Sequence, residues 1–178
     1  MKKLVLLVFS ILLSLHLLGQ TFRPNEVGIS YGLYSNSQLY TLVSNVFGSV
    51  LYKDYHSSAT GAIVAEYYRD LGELISVGGA FAYFNLSTTE NEKQNSFNNF
   101  SLIPAVKFHW YRRAWFGSYS KLGAGLTFLP WREGKDRFQF NFQVSFLGLE
   151  AGPEFLRAFA EVGVGEQGIV VAGLRYRF

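Results

Sequence analysis

In this sequence, His56 and Ser58 lie two positions apart, a spacing at which a histidine can activate a serine for nucleophilic catalysis. In a β-strand, residues i and i+2 share a face, so the His56 imidazole could accept the proton of the Ser58 hydroxyl. The match is short, and no acidic residue is obviously placed to orient the imidazole. A polar loop end is therefore the simpler interpretation, and a catalytic pair is the alternative to it.

A second set of reactive side chains consists of charged residues in otherwise apolar segments. They are Glu66, Lys107, Lys121, Glu150, Glu161 and Arg175. Counted from the ends of the strands predicted below, they lie at about the same height and on the same face. Three carboxylates and three cations at one level should form ion pairs that close a narrow interior. A gated pore or a proton path is the functional alternative, although a selectivity ring usually carries an excess of one sign.

Metal and cofactor chemistry is not expected from this composition. The sequence has no Cys and three His, and its Asp and Glu residues do not have the spacing of metal ligands. We interpret His109 as a hydrogen-bonding residue of the interior. The pairs Gly123-x-Gly125 and Gly163-x-Gly165 are not followed by a helix that could cradle a phosphate, so no cofactor is predicted.

The segments that position these residues alternate apolar and polar side chains with the period of a β-strand. The final eleven residues, GIVVAGLRYRF, place Val170, Ala172, Leu174, Tyr176 and Phe178 on one face and two arginines on the other. Eight such segments can be drawn, at about 26–35, 59–69, 74–86, 99–111, 118–129, 138–151, 157–165 and 168–178. The sequence thus predicts an all-β fold, an eight-stranded antiparallel up-and-down transmembrane β-barrel.

Two positions predict irregularities in these strands. Pro104 lies in the middle of the fourth strand and cannot donate to the ladder, so we expect a bulge or a local distortion there. In the sixth strand the apolar face changes parity near Ser145 or Phe146, which predicts a β-bulge.

The charges share their face with glycines while the bulky apolar residues lie opposite, which argues against a soluble lipocalin-like carrier.

The N-terminus predicts export. Lys2 and Lys3 precede an apolar run from Leu4 to Leu18 that is too short to span a bilayer as a helix, which indicates a cleaved signal peptide over 1–20 and a barrel domain over 21–178. Without the two lysines, 14 basic and 13 acidic residues remain, because 16 minus 2 is 14. A net charge of about +1 argues against a nucleic-acid partner.

The connections predict orientation and one binding surface. The links after the second, fourth and sixth strands are short and those after the first, third and fifth are longer, so both termini should be periplasmic. The first long connection is apolar over 39–52, with spacings of three and four that suggest a short amphipathic helix. It could cap the barrel mouth or dock another membrane protein or lipid. The connection over 88–96 is polar and is expected to be solvated.

The chain resembles the small OmpA/OmpX-type eight-stranded barrels, in particular the outer-membrane β-barrel domain proteins of Bacteroidota. The resemblance rests on LIPAVKFHWYRRAWFGSYSKLGAGLTF (102–128), FLGLEAG (146–152), FAEVGVGEQG (159–168) and the terminal GLRYRF. It implies location in the outer membrane, contact with its lipid and lipopolysaccharide, and insertion by the barrel assembly machinery. Leu174, Tyr176 and Phe178 would then be the C-terminal assembly signal.

The resemblance leaves two functions open. The first is a non-enzymatic structural, adhesion or accessory binding role, with the interior closed by the ion pairs. The second is a lipid-A-modifying hydrolase, since some barrels of this kind deacylate lipid A with a His-x-Ser pair near the outer rim. His56 and Ser58 would be the catalytic residues in that case.

Overall fold

The computed structural model describes residues 24–36, 38–39, 56–90, 93–129 and 137–178. The predicted signal peptide lies outside these ranges. The strands are β1 (Asn25–Leu33), β2 (His56–Ala59), β3 (Ala62–Asp70), β4 (Ile75–Glu90), β5 (Lys93–Arg112), β6 (Phe116–Leu129), β7 (Arg137–Ala151), β8 (Leu156–Gly165) and β9 (Val170–Arg177). Among the described residues, no helix has the length and apolar character needed to cross a membrane.

The strands close into a barrel. From β3 onward each strand pairs antiparallel with the next, and β1 pairs with both β3 and β9. The short β2 pairs with β4 and continues the line of β3, so nine strands occupy eight positions around the barrel. The predicted all-β, eight-stranded, up-and-down architecture is therefore confirmed. At the seam, the backbones of Asn25 and Phe178 exchange hydrogen bonds of 3.1 and 2.9 Å.

The alternation of side chains gives the barrel an apolar exterior and a polar interior. On β3, Ile63 and Tyr67 are exposed while Glu66 and Tyr68 are buried. The same period of two runs along β8 and β9. Closing the sheet turns one face of every strand inward, so the face that carries the charges becomes the interior.

Three irregularities interrupt the ladders. They are a predicted bulge, a gap at Pro104 and a bulge that was not predicted. The predicted bulge in β7 is confirmed at Phe146, where the register with β8 shifts between Ser145 and Leu147. At Pro104 no residue is inserted: the ladder with β6 skips this proline and its neighbour and resumes in the same register. A bulge that the sequence did not reveal lies at Trp110, between residues that pair with adjacent positions of β6.

The hairpin of β4 and β5 is longer than predicted. The polar segment 88–96 was expected to be a solvated loop, but β4 extends to Glu90 and β5 begins at Lys93. Polar residues can continue a strand when both faces are wet, because the backbone ladder and cross-strand pairs stabilise it. Here Asn85 faces Asn98 and donates to it through the side-chain amide at 2.9 Å.

The connections at the end of the barrel where β1 begins and β9 ends are short. Residues 71–74, 113–115 and 152–155 link β3 to β4, β5 to β6, and β7 to β8. These three lengths agree with the predicted short links, but the longer link predicted between the third and fourth strands is replaced by an extension of β4 and β5, which are two residues apart. The apolar segment 39–52 lies outside the described residues except for Leu39, so its helix and its role as a cap stay predictions.

Candidate functional site in the charged interior

The structure brings all six of the predicted charged residues together inside the barrel. Glu66, Lys107, Lys121, Glu150, Glu161 and Arg175 come from β3, β5, β6, β7, β8 and β9, respectively. Their side chains are at most 1% exposed. The period of two points each of them inward, and barrel closure places them at a common level.

Arg175 lies at the centre of this group. Its guanidinium contacts Glu161 Oε1 at 2.8 Å and Glu66 Oε1 at 2.8 Å, and it reaches Glu150 Oε2 at 3.4 Å. The Phe159 ring lies 3.5 Å from the guanidinium carbon and the Tyr119 ring 4.6 Å from it. A planar, multidentate cation suits this position, because one side chain contacts several carboxylates while its faces pack on rings.

The two lysines fill the space on either side of Arg175. Lys107 Nζ lies 3.4 Å from Glu66 Oε1 and 3.5 Å from the centroid of the Tyr68 ring. Lys121 Nζ lies 2.6 Å from Glu161 Oε2 and 3.6 Å from Glu66 Oε2. Each ammonium group therefore has at least one carboxylate within ion-pairing distance, which offsets the cost of removing it from water.

Three further residues complete the cluster, and the sequence reasoning did not assign them to it. They are Glu26, Arg157 and Arg177. Glu26 Oε1 contacts Lys107 Nζ at 2.5 Å, and Glu26 Oε2 contacts Arg177 at 3.0 Å. Arg177 also binds Glu150 at 2.8 Å. Their inward parity was visible in the sequence, but all three lie near strand ends, where counting residues does not separate the interior from the rim.

These additions change the charge balance of the interior. The six predicted residues are three acids and three cations, whereas the nine that the structure groups together are four acids and five cations. Arg157 lies at the rim and contributes to the excess of positive charge. Its guanidinium binds Glu150 at 2.6 Å and also donates to the carbonyl oxygens of Arg113 and Ala114 at 2.5 and 3.0 Å. Backbone carbonyls thus disperse part of the extra positive charge.

Glycines make room for these long side chains. A Cβ on Gly28 would lie 2.9 Å from Glu66 Cγ and 3.2 Å from Arg175 Cγ. A Cβ on Gly148 would overlap the Tyr119 ring. Tyr119 is fully buried and donates its hydroxyl to Glu161 Oε1 at 2.6 Å. Glycine at these positions therefore permits the close approach of the ionic and aromatic groups.

The connection between β8 and β9 folds into the barrel and fills it beyond the cluster. Gln167 is fully buried, and its backbone nitrogen donates to Gln143 Oε1 at 2.8 Å. Its side-chain oxygen accepts from Lys121 Nζ at 2.7 Å. Gly168 has a φ of 127°, a conformation that a residue with a Cβ rarely adopts. This inward turn explains why the connection is short although it lies at the end with the long hairpins.

A second buried polar group lies nearer the short turns. Ser76 Oγ is 2.5 Å from Asp70 Oδ1 and 2.7 Å from His109 Nε2, and Arg112 binds Asp70 Oδ2 at 2.6 Å. The serine lies between the histidine and the carboxylate, so the carboxylate does not orient the imidazole as in a catalytic triad. Ser76 is 1% exposed. These contacts give His109 an interior hydrogen-bonding role.

The remaining predicted residues lie outside the cluster. His56 and Ser58 are in β2, opposite Thr89 and Ser87, and their side chains lie outside the described part of the chain. Leu174 and Phe178 are about half exposed on the exterior, where the rings of Tyr176 and Phe178 stack at 6.1 Å. In the parts of the chain that are described, no group of His, Asp or Glu residues could hold a metal ion.

The sequence matches no protein-family model and no curated protein. Geometry alone therefore indicates what the site can do. Each of the nine charged side chains of the cluster has an oppositely charged neighbour within 4 Å. Such an arrangement stabilises and fills an interior.

Proposed function

We propose that this chain is an integral β-barrel protein of a bacterial outer membrane whose role is non-enzymatic. The ionic cluster closes its interior, and the work of the protein is structural support, adhesion or accessory binding through the end that carries the long hairpins. The apolar exterior of the described strands supports this proposal most strongly.

The height of the apolar exterior fits a lipid bilayer. Along β5, exposed apolar and aromatic residues run from Phe100 to Trp110. Ten residues at about 3.3 Å each, on a strand tilted by about 40°, span about 25 Å along the barrel axis. This value equals the height of the apolar band of outer-membrane barrels.

The exposure of large apolar side chains would be costly in water. Leu102, Phe140 and Phe146 are each more than 60% exposed, and Leu126 and Leu174 are about half exposed. They belong to β5, β6, β7 and β9, so the apolar surface covers much of the circumference. A patch of that extent on a soluble monomer marks an interaction or aggregation site, whereas lipid tails satisfy it directly.

An exterior serine is consistent with an apolar surrounding. The Ser120 hydroxyl donates to the Phe146 carbonyl at 2.6 Å and accepts from Trp110 Nε1 at 2.8 Å. The two β-bulges bring these groups together. Polar groups that face hydrocarbon need protein partners, and here the hydroxyl, the indole nitrogen and the carbonyl all have them.

The proposed orientation follows from the three short turns at one end of the barrel and the long β4–β5 hairpin at the other. Outer-membrane barrels have short turns on the periplasmic side, so residues 71–74, 113–115 and 152–155 and both chain ends would be periplasmic. The hairpin of β4 and β5 would then project outward. Outer-membrane lipid and lipopolysaccharide would surround the barrel, and Leu174, Tyr176 and Phe178 would be read by the assembly machinery during insertion.

Reconstitution tests the proposal. Residues 21–178 would be refolded into phospholipid vesicles and examined by heat-dependent mobility on denaturing gels and by resistance to proteolysis. We expect a folded, vesicle-bound barrel without a large stable conductance in planar bilayers. A folded chain that stays monomeric in buffer without detergent would contradict the membrane location, and a large open pore would contradict the closed interior.

A further inference from the structure

The exterior face of the β4–β5 hairpin changes character along its length. Its cross-strand pairs run from Phe81 and Leu102, through Tyr83 and Phe100, to Asn85 and Asn98, and then to Ser87 and Ser96. The first pair is apolar, the second aromatic, and the last two consist of amides and hydroxyls. We call Tyr83, Asn85, Ser87, Ser96, Asn98 and Phe100 the hairpin patch.

The polar half of the hairpin patch is a connected network. Asn98 Oδ1 accepts from Asn85 Nδ2 and from the Tyr83 hydroxyl, both at 2.9 Å. Asn85 Oδ1 accepts from Ser96 Oγ at 2.9 Å and from Ser87 Oγ at 3.2 Å. These bonds hold the side chains in place at the surface and occupy Asn98 Oδ1, and the Asn98 side-chain amide can also donate hydrogen bonds to a ligand.

The aromatic half lies directly beside this network. The rings of Tyr83 and Phe100 are 5.4 Å apart, and Phe81 stacks on Phe100 at 5.9 Å. An aromatic face next to fixed amides and hydroxyls is the chemistry that recognises a sugar, whose C–H groups pack on the ring and whose hydroxyls exchange hydrogen bonds with the amides. No member of the patch is charged, so a phosphate is not the group it fits.

The location of the patch selects the source of the sugar. Tyr83 and Phe100 end the apolar exterior, and Asn85 and Asn98 lie about 5 Å farther along the barrel axis, at two residues of about 3.3 Å each on a strand tilted by about 40°. That level is where the head groups of the surrounding lipids would be. The patch is continuous with the proposed membrane surface.

We propose that the hairpin patch binds the neutral sugars of an outer-leaflet glycolipid of the lipopolysaccharide type. This inference rests on the proposed function, because it requires the hairpin to project from the outer leaflet. Tyr83 and Phe100 pack against a sugar ring, and Asn85 and Asn98 bind its hydroxyls.

Native mass spectrometry of the detergent-solubilised barrel, titrated with rough-type lipopolysaccharide, measures this binding. Asn85→Ala/Asn98→Ala removes two polar contacts, and Tyr83→Leu removes the tyrosine ring. Each change weakens binding about tenfold, since about 1.4 kcal/mol corresponds to a factor of ten. The control is Tyr67→Leu, which removes an exposed tyrosine that also donates to an asparagine, Asn25, at the opposite rim. The control retains full binding.

Two results overturn the inference. They are unchanged affinity in both patch variants and equal affinity for lipid A that lacks the core sugars. Heat-dependent gel mobility of each variant verifies folding before the titration. A barrel that inserts into vesicles but fails these tests refutes the sugar site alone, whereas a barrel that does not insert refutes the proposed function.

Discussion

Removing the carboxylate of Glu161 tests the role of the ionic cluster most directly. This carboxylate is fully buried and contacts Lys121 at 2.6 Å and Arg175 at 2.8 Å. It also accepts hydrogen bonds from Tyr119 at 2.6 Å and from Ser145 at 2.7 Å. The change to Ala leaves two cations and two hydroxyls without this acceptor.

The two cations are not affected equally. Arg175 keeps Glu66 at 2.8 Å and Glu150 at 3.4 Å, whereas Lys121 keeps one carboxylate, that of Glu66, at 3.6 Å. Breaking a buried ion pair by removing one partner costs about 3–5 kcal/mol, because an uncompensated charge stays buried. We expect Glu161→Ala to lower the free energy of unfolding by this amount, with Lys121 carrying most of the penalty.

Urea unfolding of the barrel in phospholipid vesicles, followed by tryptophan fluorescence, measures the loss. Two further variants separate charge from packing. Ser145→Ala removes one hydrogen bond to the same carboxylate without changing a charge, and it should cost about 1 kcal/mol. Glu161→Ala/Lys121→Met removes both members of the pair and should be less destabilised than Glu161→Ala alone.

Two outcomes would refute this reasoning. A loss below about 1 kcal/mol in Glu161→Ala would mean that water reaches Lys121 and compensates its charge. A double variant at least as destabilised as Glu161→Ala alone would mean that removing Lys121 relieves no penalty, so that the two residues do not interact as proposed. In planar bilayers the single variant should remain closed, since the other ion pairs and the inward β8–β9 turn still fill the interior.

Two other predictions concern the inward turn and the hydrolase alternative. Gly32→Ala should destabilise the barrel by about 1–3 kcal/mol, because its Cβ would overlap the Gln167 carbonyl oxygen. Gly72→Ala is the control, since a Cβ at that position meets nothing within 4 Å. Equal midpoints of urea unfolding for the two variants would contradict the predicted clash. Deleting the gene, or changing His56 or Ser58 to Ala, should leave the acyl chains of lipid A unchanged in mass spectra of whole-cell extracts. A lipid A species that gains an acyl chain in all three strains would instead favour the hydrolase.

Several features of the barrel could be derived from the sequence because they depend on a local period. Alternation of side chains decides which face of a strand is apolar, so the exposed Leu174 and the buried Arg175 follow from their positions in β9. The bulge at Phe146 was visible for the same reason, since the apolar face changes parity there. At Trp110 the two consecutive residues that could face outward are both aromatic, so the inserted residue does not show as a change of parity in the apolar face.

Other features depend on how distant strands meet. Glu26 and Arg177 pair because the seam joins the first and last strands, 151 positions apart in the chain. The inward turn at Gln167 depends on Gln143 and Lys121, which belong to other strands. The polar ends of β4 and β5 carry no apolar period, so only their mutual pairing shows that the hairpin continues.

The sequence by itself therefore determined the strands, their two faces and the presence of charge in the interior, because a period of two is a property of neighbouring residues. Tertiary structure decided which charges form pairs, how many belong to the cluster and what fills the remaining space. The physical reason is that the stagger of the closed barrel sets the distance between side chains on opposite strands, and that stagger is a property of the whole sheet.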